Sequence, residues 1–238
     1  GAGIGTFMIG RGIDPFHHFL VILGILIIGV IIASRYLYDD YGVAKSEVPS
    51  SMSLRERLSL IVPLLTLGSI AFCSMICEGA MFDWSVIYFK KVVTAPMALQ
   101  GAGFTAFMFT MAGGRFIADW FAHRFGLKRT LQVSGALTVT GLLTAVIFPY
   151  FYTAMAGFLL VGAGVSSVVP MVYSAAGKSK TMSAGVALAA VSTIGFIGFL
   201  IGPPVIGFIA GLATLRASFV FIALMGTSVI VLSSRAKL

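Results

Sequence analysis

The sequence predicts an all-α membrane protein, a multi-span bundle of apolar helices, and three observations carry that prediction. Hydrophobic residues make up 58% of the 238 and charged residues 10%, with a mean hydropathy of +1.03. A soluble domain carries about 25% charged residues; so few charges cannot cover a water-facing surface, and the outside of the fold must face lipid. Apolar runs of about the 20 residues that a helix needs to cross a bilayer recur along the chain. Finally, 28 Gly and 11 Met suit helices that approach one another through small residues and fill gaps with flexible ones.

The runs follow in order. Gly1-Ala2-Gly3-Ile4-Gly5 opens the chain with no polar lead-in and no initiating Met, so residues 1–9 read as the stub of a helix and the chain as part of a longer one. Phe16 to Ser34 is a full span. Arg35 to Leu58 is the longest polar stretch and reads as a linker, with a short amphipathic helix after Ser53. Ser59 to Phe89 is a long span holding two acids, and Ala98 to Phe121 is the next, followed by a basic loop. Thr130 to Phe148 ends at Pro149, Phe151 to Ala176 is interrupted by Pro170, Ser183 to Leu212 contains Pro203-Pro204, and Ala217 to Ser233 closes the series. That predicts seven full spans and one stub. A shift of 202 residues sets Ile4-Gly5 on Ile206-Gly207, Phe19 on Phe221, Gly24 on Gly226 and Ile28 on Ile230. This is the spacing of a duplicated six-helix unit.

The net charge is +8, but the charges sit in short segments between apolar runs and not in a basic patch interleaved with exposed aromatics, so a nucleic-acid partner is not indicated. The positive-inside rule is the better reading. Alternate connections carry Arg35, Lys45, Arg55, Arg57, Arg124, Lys128, Arg129, Lys178, Lys180, Arg235 and Lys237, eleven in all; the opposite set carries Arg11, Lys90, Lys91 and Arg216, four in all. The linker and the C-terminus are therefore expected on the cytoplasmic side. The absence of Asn removes any N-glycosylation site. Cys73 and Cys77, the only cysteines, lie four apart on an apolar helix and read as small core residues rather than a metal pair or a disulfide. There is no nucleotide-binding glycine loop, no metal-ligand spacing and no nucleophile–base pair, so neither an enzyme nor a bound cofactor or metal is expected.

Glu78 is the most informative residue. A carboxylate near the middle of a span costs roughly 2.5–3.5 kcal/mol on insertion scales and is rare without a purpose. Ser74, Glu78, Met81 and Ser85 share one helical face, so their polar groups are expected to line a cavity together, against the plainer reading of a structural ion pair. Asp83 lies about 140° further round the helix and nearer its end. Trp84 and Tyr88 read as interfacial anchors or as a surface on which a sugar ring stacks. Ser166, Ser167 and Tyr173, near Pro170, are candidate cavity groups. Gly198, Gly202 and Gly207 permit close helix contact, while Pro203 and Pro204 remove backbone donors and mark a bend.

Three motifs carry a family resemblance. Gly114-Arg115-Phe116-Ile117-Ala118-Asp119, followed by Arg124-Phe125-Gly126-Leu127-Lys128-Arg129, is similar to the cytoplasmic loop signature of the major facilitator superfamily, an Asp near a helix end followed by Arg-x-Gly-x-basic-basic. It departs from the compact form in the four residues between Asp119 and Arg124 and in His123, where an Asp often stands. Gly198-x-x-x-Gly202-Pro203-Pro204-x-x-Gly207 resembles the Gly-Pro motif of the superfamily's fifth and eleventh helices. Glu78-Gly79-Ala80-Met81-Phe82-Asp83-Trp84-Ser85 looks like the seventh helix of the bacterial branch around fucose-permease-like and MosC-type membrane proteins. The resemblance implies a twelve-helix parent in a bacterial inner membrane. Residues 1–34 would end its N-terminal half, 35–58 would be the cytoplasmic linker, and 59–238 the C-terminal six-helix half. It also implies secondary transport of a small polar, sugar-like solute, with protons as partners, lipid around the protein and the missing N-terminal half as the other wall of the site. Arg115, Asp119, Arg124, Lys128 and Arg129 would form a charge lock at the cytoplasmic end. The rival reading is a sensor or assembly subunit that keeps the fold without transporting.

Overall fold

The computed structural model describes residues 14–35, 54–179 and 182–235 of the chain. Helices and their short connections account for these residues, with no strand among them. Contacts divide the chain into two units, residues 1–44 and 45–238. The first contains α1 (Pro15–Arg35), 21 residues long, or about 32 Å at 1.5 Å per residue, which matches a hydrocarbon core of about 30 Å. Asp14 precedes it and stands 3.6 Å from His17 Nδ1, an acid at the helix end that favours negative charge. The expected stub at 1–9 and the linker from 36 to 53 lie outside the described residues.

The second unit holds α2 (Leu54–Lys91), α3 (Ala102–Phe125), α4 (Leu127–Ile147), α5 (Phe151–Val165), α6 (Val168–Gly177), α7 (Ala184–Leu212) and α8 (Leu215–Arg235). No separate amphipathic helix follows Ser53, because α2 runs unbroken from Leu54 into the span. A single 3-10 turn, Met97–Leu99, leads into α3. Among the described residues, five segments are long and apolar enough to cross a membrane: Ile61–Lys91, Leu127–Ile147, Phe151–Gly177, Ala184–Leu212 and Leu215–Arg235. Helix α3 has the length of a span at 24 residues but carries Arg115, Asp119, His123 and Arg124 along its second half. The span at 151–177 breaks at Ser166-Ser167, four residues before Pro170. Proline has no N–H for the carbonyl four residues back and its ring crowds that carbonyl, so the disruption falls upstream of Pro170 itself.

Lipid tails are as apolar as leucine, so helices in a membrane associate through close packing at small residues rather than by escaping their solvent. Helix α2 packs on α7 and α8, α4 on α5 and α8, and α3 on α5. The α7 face that meets α2 is Gly195, Gly198 and Gly202: a Cβ at Gly198 would stand 2.5 Å from the Phe72 carbonyl oxygen, and one at Gly202 3.2 Å from Ile76 Cα. Between the helices, Tyr88, Phe89, Phe107, Phe158 and Phe219 form one buried aromatic core, with Phe158 stacked on Phe219 at 5.8 Å between centroids. A second core gathers Leu67, Ile70, Leu131, Val172 and Val191.

One residue joins α3 to α4. Gly126 has φ +80° and ψ 157°, a backbone region open to essentially glycine alone, so the glycine of the loop motif is a conformational requirement. Gly126→Ala should cost about 1–3 kcal/mol, read as a lower thermal midpoint; an unchanged midpoint would show that the connection adapts freely.

Candidate functional site

The site begins at Glu78, close to the middle of the span Ile61–Lys91. Its side chain is 12% exposed, and its Oε1 lies 3.7 Å from Arg115 Nη2, across from α2 to α3. Arg115 sits close to the middle of α3 and is 53% exposed. Tyr173 on α6 is half-buried. Its hydroxyl is 4.0 Å from Met75 Sδ, one turn before Glu78 on α2. An acid and a permanent cation from two helices thus meet at one position, with the Tyr173 phenol against α2 one turn away.

This grouping differs from the expected lock. Arg115 pairs with Glu78 and not with Asp119, although Asp119 lies one turn further along the same helix. Asp119, Arg124 and Arg129 are exposed and make no ion pair with a described residue. Lys128 donates instead to the Ser234 carbonyl, and Gln132 donates to Ser234 Oγ at 2.8 Å, so the start of α4 caps the end of α8, where a cation is favoured by the helix dipole.

The Glu78 stripe does not open as one surface. Ser74, Met81 and Ser85 are buried, because this face of α2 turns into the core that Met81 shares with Phe107 and Ile222. Among the described residues Ser74 Oγ and Ser85 Oγ have no hydrogen-bond partner; Ser74 lies one turn before Glu78 and Ser85 two turns after it. Tyr88 is neither an anchor nor a stacking surface. It is fully buried, lies 4.2 Å from Phe219 between centroids, and donates its hydroxyl to the Ala145 carbonyl at 2.9 Å. Tyr88→Phe should therefore cost about 0.6 kcal/mol, the mean for a hydrogen bond between membrane helices, and leave any solute affinity unchanged; a large loss of affinity in a protein of normal thermal midpoint would place Tyr88 in the site after all. Asp83 is exposed.

Trp84 donates from Nε1 to the Pro203 carbonyl at 3.2 Å, and its ring fills the space where a Cβ at Gly207 would stand. Helix α7 runs through Pro203 and Pro204, and Pro203 has no N–H for the Phe199 carbonyl. That oxygen faces Gly79, where a Cβ would approach it to 2.9 Å. Ser166 Oγ donates to the Ala163 carbonyl at 2.7 Å, and Ser167 Oγ lies 2.7 Å from Ser134 Oγ. Both serines line a cavity of about 150 Å³ together with Gly114, Phe121 and Ser134, with their hydroxyls engaged inside the protein. The sequence reading missed Ser134, and it missed Thr110, which donates across to the Leu159 carbonyl at 2.7 Å. A hydroxyl in an apolar helix is the available signal, and it does not name its partner. Cys77 is a buried free thiol 3.6 Å from the Ile222 carbonyl.

Apolar spans joined by short connections, with the Glu78–Arg115 pair between two of the described helices, define a multi-pass integral membrane protein. The profile of the Major Facilitator Superfamily matches residues 67–236, and the chain belongs to that family. It is 32% identical over 229 residues to the membrane protein MosC of Rhizobium meliloti, covering 96% of this chain and 54% of MosC. It is 30% identical over 225 residues to an uncharacterised transporter of the superfamily from Yersinia pestis, covering 94% of this chain and 57% of that protein. The chain thus spans about half the length of these curated relatives. Among solved structures, the superfamily transporter FucP in its outward conformation superposes with a TM-score of 0.75 at 16% identity, over 93% of this chain and 54% of FucP. A second structure, described as the E. coli fucose:proton symporter FucP, gives 0.63 at 18% identity, over 78% of this chain and 46% of that one. The fold of the described helices is that of the superfamily.

Proposed function

We propose that the full-length protein is a secondary transporter that moves a small polar, sugar-like solute by alternating access, with Glu78 carrying the coupling proton. The single observation behind this reading is the Glu78–Arg115 pair, near the middle of the span Ile61–Lys91 and of the neighbouring helix α3. An ionisable group there is costly and is normally tied to a substrate or ion pathway. Protonation of Glu78 would release Arg115, so one proton changes both the charge and the donors offered to a solute. The Ser74 hydroxyl, one turn from Glu78 on α2 and without a partner among the described residues, supports the same reading, since a buried hydroxyl without a partner is normally avoided. The fucose:proton symporter that shares the fold is consistent with it.

In this reading residues 1–34 end an N-terminal half, residues 35–58 cross the cytoplasmic side, and residues 59–238 supply the second half of a bacterial inner-membrane protein, with the C-terminus cytoplasmic. Alternating access is a rocking of the two halves about a midplane site, with Pro203 and Pro204 as the flexible point of α7. Asp119, Arg124 and Arg129 would then tune the exchange between conformations from the cytoplasmic end. The test is uptake by the full-length parent reconstituted in vesicles with an imposed pH gradient, across a panel of sugars and sugar derivatives. Solute accumulation that collapses when the gradient is dissipated supports the proposal. A protein that moves no member of the panel in either direction, yet is folded and binds one of them, would be a sensor rather than a transporter.

A further inference from the structure

We infer that Arg115 is an anion-binding residue and that the solute carries a carboxylate, so that a sugar acid rather than a neutral sugar is the preferred class. The inference rests on the transport reading and narrows it.

Arginine stays charged at any working pH and offers five N–H donors in a planar fork that fits a carboxylate bidentately. In the structure that fork is nearly unused. Its contact with Glu78 is 3.7 Å, too long for a hydrogen bond, and its guanidinium makes no hydrogen bond to a described residue. The exposures differ. Glu78 is tucked in at 12% while Arg115 is open at 53%, so the cation is the more accessible member of the pair. A neutral sugar would leave the charge of the fork unanswered, whereas a carboxylate satisfies both its charge and its geometry.

The proton makes the requirement stronger. Once Glu78 is neutral, Arg115 has lost its counter-ion near the middle of a span, a costly arrangement. The neighbouring elements offer few replacements. Tyr173 on α6 is a neutral phenol, and α7 contains no charged residue between Ala184 and Leu212. Asp83 on α2 is exposed and lies beyond Glu78 toward the far end of the span, leaving Asp119, one turn along α3, as the internal competitor. A solute carboxylate on Arg115, loaded together with the proton on Glu78, keeps the charge of the site constant between the empty and the loaded states. The negative charge simply passes from the protein to the solute.

The experiment uses the full-length parent in lipid nanodiscs and the arginine-directed reagent phenylglyoxal, with labelling of the Arg115 peptide read by mass spectrometry. Matched pairs are added, galacturonate against galactose and gluconate against glucose. At least one acid should slow labelling while its neutral partner does not. Glu78→Gln should raise the apparent affinity for that acid at least about fivefold, the lower range of coupling between linked sites. In a thermal-shift assay Arg115→Gln should lose the stabilisation given by the acid, and Arg115→Lys should keep only part of it. Labelling indifferent to every acid, or slowed equally by the neutral partners, overturns the inference. So does an Arg115 in the Glu78→Gln protein that becomes acid-sensitive only when Asp119→Asn is added, since Asp119 would then be the second partner. Vesicle uptake separates this from the transport reading. Normal accumulation of a neutral sugar by Arg115→Gln leaves transport standing and sinks the anion site, whereas acid protection without uptake of any solute does the reverse.

Discussion

Replacing Glu78 with Gln in the full-length protein should retain or strengthen solute binding and keep exchange while abolishing accumulation against a gradient. Gln matches Glu in size and keeps a carbonyl oxygen beside Arg115, so the packing of α2 against α3 is preserved. It cannot gain or lose a proton, and it holds the site permanently in its neutral form. Exchange of labelled for unlabelled solute needs only the loaded protein to change its facing, and that step does not require the proton to leave. Net uphill movement requires unloading on the inner side, which the substitution removes. A gradient of one pH unit is worth about 1.4 kcal/mol per proton, or about tenfold accumulation for one proton per solute. The wild type should approach that ratio in vesicles, and Glu78→Gln should equilibrate at equal concentrations on both sides. Asp83→Asn should change little, because Asp83 is exposed and takes no part in the ion pair. If Glu78→Gln still concentrates solute with an unaltered pH dependence, the coupling acid lies elsewhere in the parent or the protein is a uniporter.

That prediction leans on a residue the sequence singled out and on a partner it misplaced. Glu78 was legible because a carboxylate inside an apolar run needs no structure to stand out. Arg115 reads as part of an inter-helix charge lock at the cytoplasmic end because the loop motif begins there, and the plainer reading of Glu78, an ion pair with a neighbouring helix, names no partner. The pair that forms joins residues 37 apart in sequence, across two helices, and spacing along one chain is silent on which faces of two helices meet. Tyr88 failed for the same reason. An aromatic beside Lys90 and Lys91 reads as an interfacial anchor, yet its face of α2 turns into the core under Phe158 and Phe219. The fold class was the easier inference, since an apolar chain in lipid must close its backbone hydrogen bonds within each segment. The helix boundaries moved where local chemistry acts at a distance, as at Ser166-Ser167, four residues before the proline responsible.

The glycine-lined crossings allow a sharper test of how the bundle is held together, and the crossing of α4 with α5 should be its most sensitive point. A Cβ at Gly141 would overlap the Gly157 carbonyl oxygen and come within 2.9 Å of Val161 N, and a Cβ at Gly157 would overlap the Gly141 carbonyl in return. Both obstacles are backbone, so no rotamer change relieves them and the helices must separate. Apolar side chains regain little by such a shift, because lipid replaces the lost contact without a hydrophobic penalty, and the van der Waals packing that holds the pair is what is spent. Gly141→Ala should therefore destabilise by about 1–3 kcal/mol or more, the cost of forced overpacking. Gly113, in the interior of α3, is the matched control: nothing lies within 4 Å of its Cβ position. Gly113→Ala should be neutral or stabilising by up to about 1 kcal/mol, since alanine is the better helix former. Thermal midpoints of the two purified full-length variants give the comparison directly. Equal midpoints for Gly141→Ala and Gly113→Ala would mean that α4 and α5 part freely, and the close crossing would then contribute little to the stability of the bundle.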